Sequence, residues 1–129
     1  MWICFLGLTL VACSSLSDIQ RMDAFDETAK NYRRALEWSD FDLAASFLSP
    51  ADEAALAAAI ERMKAFQITA YDVKKLRVID EHRRIEQVVD LSYFKKDSMV
   101  VLKARDTQLW EYDPEQDRWQ LTSGFPQLK

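Results

Sequence analysis

Leu36-Glu37-Trp38-Ser39-Asp40-Phe41, followed by Phe47-Leu48-Ser49-Pro50, is the stretch on which the fold turns, because one helical pattern stops there and two others start. Before it, Met22, Phe25, Ala29, Tyr32 and Leu36 recur at steps of three and four. That spacing predicts an amphipathic helix over Met22–Leu36 with a single apolar stripe. Asp26, Glu27, Lys30, Arg33 and Arg34 fall on its other side, and Asp18 or Asp23 is placed to cap its start. Trp38-Ser39-Asp40 breaks the period, and the side chain of Ser39 or Asp40 is suited to accept from the free amides of a second helix, Phe41–Leu48. In Ser49-Pro50-Ala51-Asp52, Ser49 reads as N-cap, Pro50 as first helical residue and Asp52 as first-turn acid of a third helix. This alanine-rich helix runs to about Phe66 with Leu56, Ile60 and Met63 as its stripe.

From Gln67 onward the period drops to two. Ile68 and Ala70 alternate with polar residues, as do Leu76 and Val78, while Tyr71 and Val73 sit on the other parity. A bend or bulge near Asp72 to Lys75 reconciles them. Asp80-Glu81-His82-Arg83 is a turn without glycine, and Lys95-Lys96-Asp97-Ser98 is a second turn. Between them Ile85, Val89, Leu91 and Tyr93 share one face of a strand. Val100, Leu102, Ala104, Trp110 and Tyr112 share a face of the next, and Asp113 to Asp117 closes a hairpin onto Arg118–Thr122. A four-residue loop sets Tyr112 opposite Trp119 and Trp110 opposite Leu121. Helices first and antiparallel strands after them give an α+β fold, three N-terminal helices packed on a curved antiparallel sheet of about four strands. Residues 21–129 form its single domain.

The helix over Tyr32 to Leu36, then Asp40, Ala44 and Phe47-Leu48, then long bent strands ending in Arg118-Trp119-Gln120-Leu121, resembles the nuclear-transport-factor-two-like cone fold over about residues 21–122. The resemblance implies a pocket between sheet and helices, which Tyr32, Tyr71, Tyr93 and Trp110 are candidates to line. Aromatic residues at these periods ordinarily fill the interior instead. Members of this superfamily that enolise ketones use an acid–base Asp and a Tyr on the pocket wall. The strand aspartates here are Asp72, Asp90 and Asp106. Asp72 and Asp90 sit among polar neighbours and suit water. Asp106 follows Arg105 near an expected irregularity, so an ion pair or turn is the simpler account. Trp110, Tyr112 and Trp119 cluster near the last hairpin, either as a partner-binding patch or as the cover of the sheet's open end. Folds of this type often dimerise through the sheet, which makes a homodimer an expectation by analogy.

At the front of the chain an apolar run, Trp2 to Ala12, ends in Leu10-Val11-Ala12-Cys13. A membrane-spanning helix needs about 20 apolar residues, so this run is too short to be one. It resembles the lipobox of a bacterial lipoprotein precursor. The resemblance implies a signal peptide over residues 1–12, acyl chains on Cys13 and a flexible tether over residues 13–20. No Lys or Arg precedes the apolar run, which departs from the usual pattern. Three acyl chains would anchor the protein firmly, where one binds only marginally. Ser14, at the position where retained inner-membrane forms carry Asp, implies the outer membrane of a diderm bacterium, facing the periplasm.

Composition removes several classes of activity. The chain has 129 residues, a formal charge of −4 and two glycines, Gly7 and Gly124. An acidic domain lacks the basic face that nucleic acid requires. Gly7 departs with the signal, and Gly124 alone builds neither a phosphate-cradling loop nor a serine elbow. Cys4 departs with the signal, which leaves Cys13 as the only thiol of the mature chain. His82, the only histidine, lies in a charged turn, and neither a zinc set nor a calcium loop can be assembled. No cofactor, metal or catalytic residue is therefore expected. The expected function is a non-enzymatic, membrane-anchored lipoprotein that binds a partner protein or a small apolar ligand. The alternatives are a lipid-anchored enzyme with a cone-shaped pocket and a structural subunit of an outer-membrane assembly machine.

Overall fold

The computed structural model describes residues 12–129, with side chains from Ser17 onward. The expected signal peptide and the side chain of Cys13 lie outside the described residues. Helix α1 spans Ala12–Glu37. It begins well before Met22, so the backbone expected as a tether over residues 13–20 is helical. Ser14-Ser15-Leu16-Ser17-Asp18 holds no Gly or Pro to interrupt it. The helix ends on a left-handed Ser39 (φ 57°). There the Ser39 N–H donates to Leu36 at 3.1 Å and the Asp40 N–H donates to Ala35 at 2.8 Å, two bonds that satisfy carbonyls of the last turn.

Asp40 caps α2 (Phe41–Ala45) by accepting from the Leu43 N–H at 3.2 Å. This helix stops short of Leu48 because the next residues pair with the sheet. The Ser49 N–H donates to Leu121 at 3.2 Å, and the Leu121 N–H donates to Phe47 at 2.8 Å. Helix α3 is Glu53–Met63, capped by Asp52, which accepts from the Ala55 N–H at 3.3 Å. The expected cap at Ser49 is thus corrected: Ser49 is committed to Leu121, and Asp52 serves instead.

Strands β1 (Phe66–Ile79), β2 (Arg84–Lys95), β3 (Val101–Asp113) and β4 (Arg118–Leu121) form one antiparallel sheet in the order β1-β2-β3-β4. Tyr112 lies opposite Trp119, and Trp110 lies opposite Leu121, as the loop length requires. The register of β1 shifts between Val73 and Lys75, where a bend is expected, and also between Ile68 and Ala70. The irregularity expected near Asp106 is absent, since β3 pairs with β2 without interruption from Phe94↔Val101 to Arg84↔Glu111. The β1–β2 turn holds Asp80, Glu81 and His82 at φ 55°, 53° and 66°, a left-handed run built without glycine.

On β2 the buried residues are Ile85, Gln87, Val89, Leu91 and Tyr93, every second one, so this parity faces the helices. Phe25, Tyr32 and Leu36 of α1 fill the concave side. Phe25 packs edge-on against Trp110 (5.9 Å) and Trp119 (5.4 Å). The opposite face of the sheet is charged. Lys74–Asp72, Arg77–Glu86, Arg84–Glu111 and Arg105–Asp90 pair across it at 2.6–3.3 Å. Only Met63 of α3 is fully buried, while Leu56, Ala59 and Ile60 stay partly exposed. The tail folds back over the sheet: Phe125 and Pro126 are buried, and the Lys129 N–H donates to the Tyr93 hydroxyl at 3.2 Å.

Candidate functional site

Three polar residues occupy the inward parity of the sheet, Gln87 on β2 and Asp106 and Gln108 on β3. They are buried, so each needs partners. Gln108 supplies them. Its amide nitrogen donates to the Tyr71 hydroxyl at 2.8 Å and to the Asp106 carboxylate at 3.1 Å. Its carbonyl oxygen accepts from the Trp110 indole at 3.0 Å and from Gln87 at 3.3 Å. Over this cluster stands Tyr32 of α1, edge-on to Trp110 at 5.4 Å. The Arg33 guanidinium lies 5.1 Å from the centre of the Tyr71 ring.

The electrostatics follow from burial. Burial pushes the Asp106 carboxyl up, against the Gln108 hydrogen bond. Burial likewise drives the Tyr71 phenol up to about 12, with the hydrogen bond from Gln108 opposing it and the Asp106 charge adding to it. Tyr32 is raised well above the ordinary tyrosine value by burial first and then by the Asp106 charge and Tyr71. Its hydroxyl is buried without a hydrogen-bond partner. At neutral pH both phenols are protonated.

The four expected pocket residues divide. Tyr32, Tyr71 and Trp110 meet at this cluster, whereas Tyr93 lies apart, packed on Phe66 at 5.6 Å and bonded to the tail. All four are buried core residues. The expected partner patch is corrected in the same way. Trp110 and Trp119 are 0% and 1% exposed, and the Trp119 indole donates to the Arg21 carbonyl at 2.8 Å. Only Tyr112 reaches the surface, its hydroxyl bonded to Asp117 and its ring under Arg21, so the cluster closes the end of the sheet.

Asp72 and Asp90 lie on the outward face, paired with Lys74 at 2.6 Å and with Arg105 at 2.8 and 3.2 Å. Arg105 therefore serves Asp90 and not Asp106, because consecutive strand residues point to opposite faces. His82 is half-exposed, its Nδ1 3.8 Å from Asp18. Among the described residues no group of three His, Cys, Asp or Glu side chains is placed to hold a metal, and no helix is long and apolar enough to cross a membrane.

A cavity of about 620 Å³ opens elsewhere, between α3, the end of β2 and the tail. Its walls are mainly apolar, with Leu48, Leu56, Met63, Phe66, Phe125 and Leu128 among them. The apolar stripe of α3 is only half-covered there: Leu56, Ala59 and Ile60 pack against the core but stay partly exposed. Sequence periodicity shows the stripe but not how far it is covered. The buried glutamines also escaped the reading, although Gln87 between Ile85 and Val89, and Gln108 before Trp110, are polar residues on an apolar parity.

No protein-family model matches the chain, and no curated protein matches it either. Its architecture recurs among solved structures. A ketosteroid isomerase-like protein from Erwinia carotovora atroseptica superposes with a TM-score of 0.58 at 15% identity, covering 78% of this chain and 89% of the other. A "putative polyketide cyclase" from Xanthomonas campestris superposes at 0.51 and 17% identity, covering 81% and 91%. These likenesses support the cone-shaped nuclear-transport-factor-two-like fold.

Proposed function

We propose that this chain is a lipid-anchored, periplasm-facing domain that binds a small apolar ligand in the cavity beneath α3, without chemistry of its own. The cavity carries the reading: about 620 Å³ of mainly apolar space falls in the range of small-molecule sites, roughly 300–1,000 Å³. Each ligand methylene buried there contributes about 0.8 kcal/mol. The Leu10-Val11-Ala12-Cys13 resemblance supports the anchor and, with it, an outer-membrane location. Titration calorimetry with dodecanol tests the ligand. Binding in the micromolar range is expected, and Ala55→Trp, which puts an indole at the cavity mouth, should weaken it at least about tenfold. Absence of heat with the wild-type protein at both about 10 °C and about 35 °C ends this reading, since the heat-capacity change of apolar burial keeps binding from being silent at both. Labelling cells with radioactive palmitate tests the anchor: label is expected on the wild-type protein and not on Cys13→Ser.

A second reading, an acid–base enzyme, rests on Asp106 and the unpartnered Tyr32 hydroxyl. A buried carboxyl held up by desolvation beside a phenol is suited to proton transfer. The cluster is filled, however, by Gln108, and neither Asp106 nor Tyr32 lines the cavity. Exchange of α-protons of cyclohexanone in heavy water, faster with wild type than with Asp106→Asn, would favour the enzyme.

A further inference from the structure

We infer that the ligand of this cavity is a single-chain amphiphile with an anionic head, its chain lying along α3 and its head among Arg62, Lys95 and Lys129. The inference rests on the apolar-ligand reading of the same cavity and adds the ligand's charge and orientation. The only charged side chains lining the cavity are these three, and all are cations. None of their side chains joins an ion pair or a hydrogen bond among the described residues, the bonds of Lys129 to Tyr93 being made by its backbone. Lys30, Arg34, Lys75, Arg83, Lys96 and Lys103 share that state elsewhere among the described residues; what marks the cavity is that no acidic side chain lines it, in a chain of net charge −4. Arg33, Lys64, Lys74, Arg77, Arg84 and Arg105 each hold a carboxylate oxygen within 3.3 Å.

The three cations converge from separate elements. Arg62 is in the last turn of α3, Lys95 ends β2, and Lys129 closes the tail. The Lys96 N–H donates to the Ala65 carbonyl at 3.0 Å, which ties the end of β2 to the end of α3. The Lys129 N–H on Tyr93 at 3.2 Å brings the tail to the same end. Arg62 alone would be explained by the helix terminus it completes; Lys95 and Lys129 are not. Away from them the lining is Leu48, Ala51 and Ala55 with the small hydroxyls of Ser49, Thr122 and Ser123 among them, and it carries no charge. The cavity therefore has a basic end and an uncharged, mainly apolar remainder, which is the polarity of a fatty acid or of another anionic lipid. The three cations are exposed, so each adds a modest increment that salt weakens.

Calorimetry at low salt with dodecanoate, dodecyl phosphate, dodecanol and dodecyltrimethylammonium tests this on the full chain. At least one of the two anions is expected to bind roughly fivefold tighter than dodecanol, and the quaternary amine weaker than dodecanol. The tighter anion tells a carboxylate head from a phosphate head. Arg62→Gln with Lys95→Gln should bring both anions close to dodecanol, the ratio of anion to dodecanol affinity in each protein being the readout. If anions and dodecanol bind equally to the wild-type protein, the anionic head is wrong and the apolar-ligand reading stands. If nothing binds, both fail. An anion preference that survives in the double variant removes these cations as its cause.

Discussion

The concave polar cluster and the cavity under α3 are two solutions to the same problem, space between helices and sheet. In the cluster every polar atom of Gln108 is used, and its neighbours Trp110 and Tyr32 are fully buried. In the cavity the helix stripe is half-covered and three cations have no carboxylate. The first region resembles a finished interior, where a lost partner is costly. The second is open and uncompensated, which is the condition of a surface that awaits something else. In a fold that hosts many functions, the difference matters more than the fold name.

Gln108→Ala gives the largest expected effect and the sharpest test of the contrast. It strips Tyr71, Asp106, Trp110 and Gln87 of a shared partner and leaves a void. Loss of about 3 kcal/mol or more is expected from urea unfolding. Arg62→Gln, at the rim of the cavity, should change stability by less than about 0.5 kcal/mol. Similar costs for the two substitutions would erase the distinction between a packed region and an open one.

Tyr32→Phe is the next largest. A buried hydroxyl without a partner costs about 1–3 kcal/mol of desolvation, so its removal should stabilise the protein by about 1 kcal/mol. The edge-on contacts with Trp110 and Phe47 belong to the ring and survive the change. A destabilisation of similar size would mean that the hydroxyl is bonded, and the cluster would then read as a binding site.

The sequence makes the first contrast only partly visible. Strand parity, the pairing of Tyr112 with Trp119 and the end of α1 near Ser39 follow from local rules, because the interactions that decide them lie close in the chain. The same parity places Asp106 inward with Ala104, Gln108 and Trp110 and away from Arg105, because neighbours on a strand diverge. Ser49 satisfies the local rules for a cap, and its competing partner, Leu121, is distant in sequence. The basic end of the cavity depends on Arg62, Lys95 and Lys129 meeting from three elements, and no spacing rule records such a meeting. Local sequence leaves Trp119 open between a partner patch and the cover of the sheet's end, because nothing local says that the Arg21 carbonyl of α1 claims its indole.

The smallest effect separates the two faces of the sheet through two aspartates. Asp106 faces inward, and burial raises its carboxyl above the ordinary value. Near pH 3 folded and unfolded chains both keep that proton. As pH rises past the unfolded value of about 3.9, the unfolded chain releases it first, so this group's contribution to stability falls between the two values and stays lower at neutral pH. Asp90 faces outward, and the hydrogen bond from Arg105 lowers its carboxyl. Its contribution is present above the unfolded value and is lost as pH falls through the folded one. Asp106→Asn should therefore gain stability over wild type between acid and neutral pH, whereas Asp90→Asn should lose it, by little because the pair is exposed. Urea midpoints for both variants across pH 3–7 decide the matter: slopes of the same sign would mean that Asp106 shares the solvent of Asp90, and that the inner cluster is open to water after all.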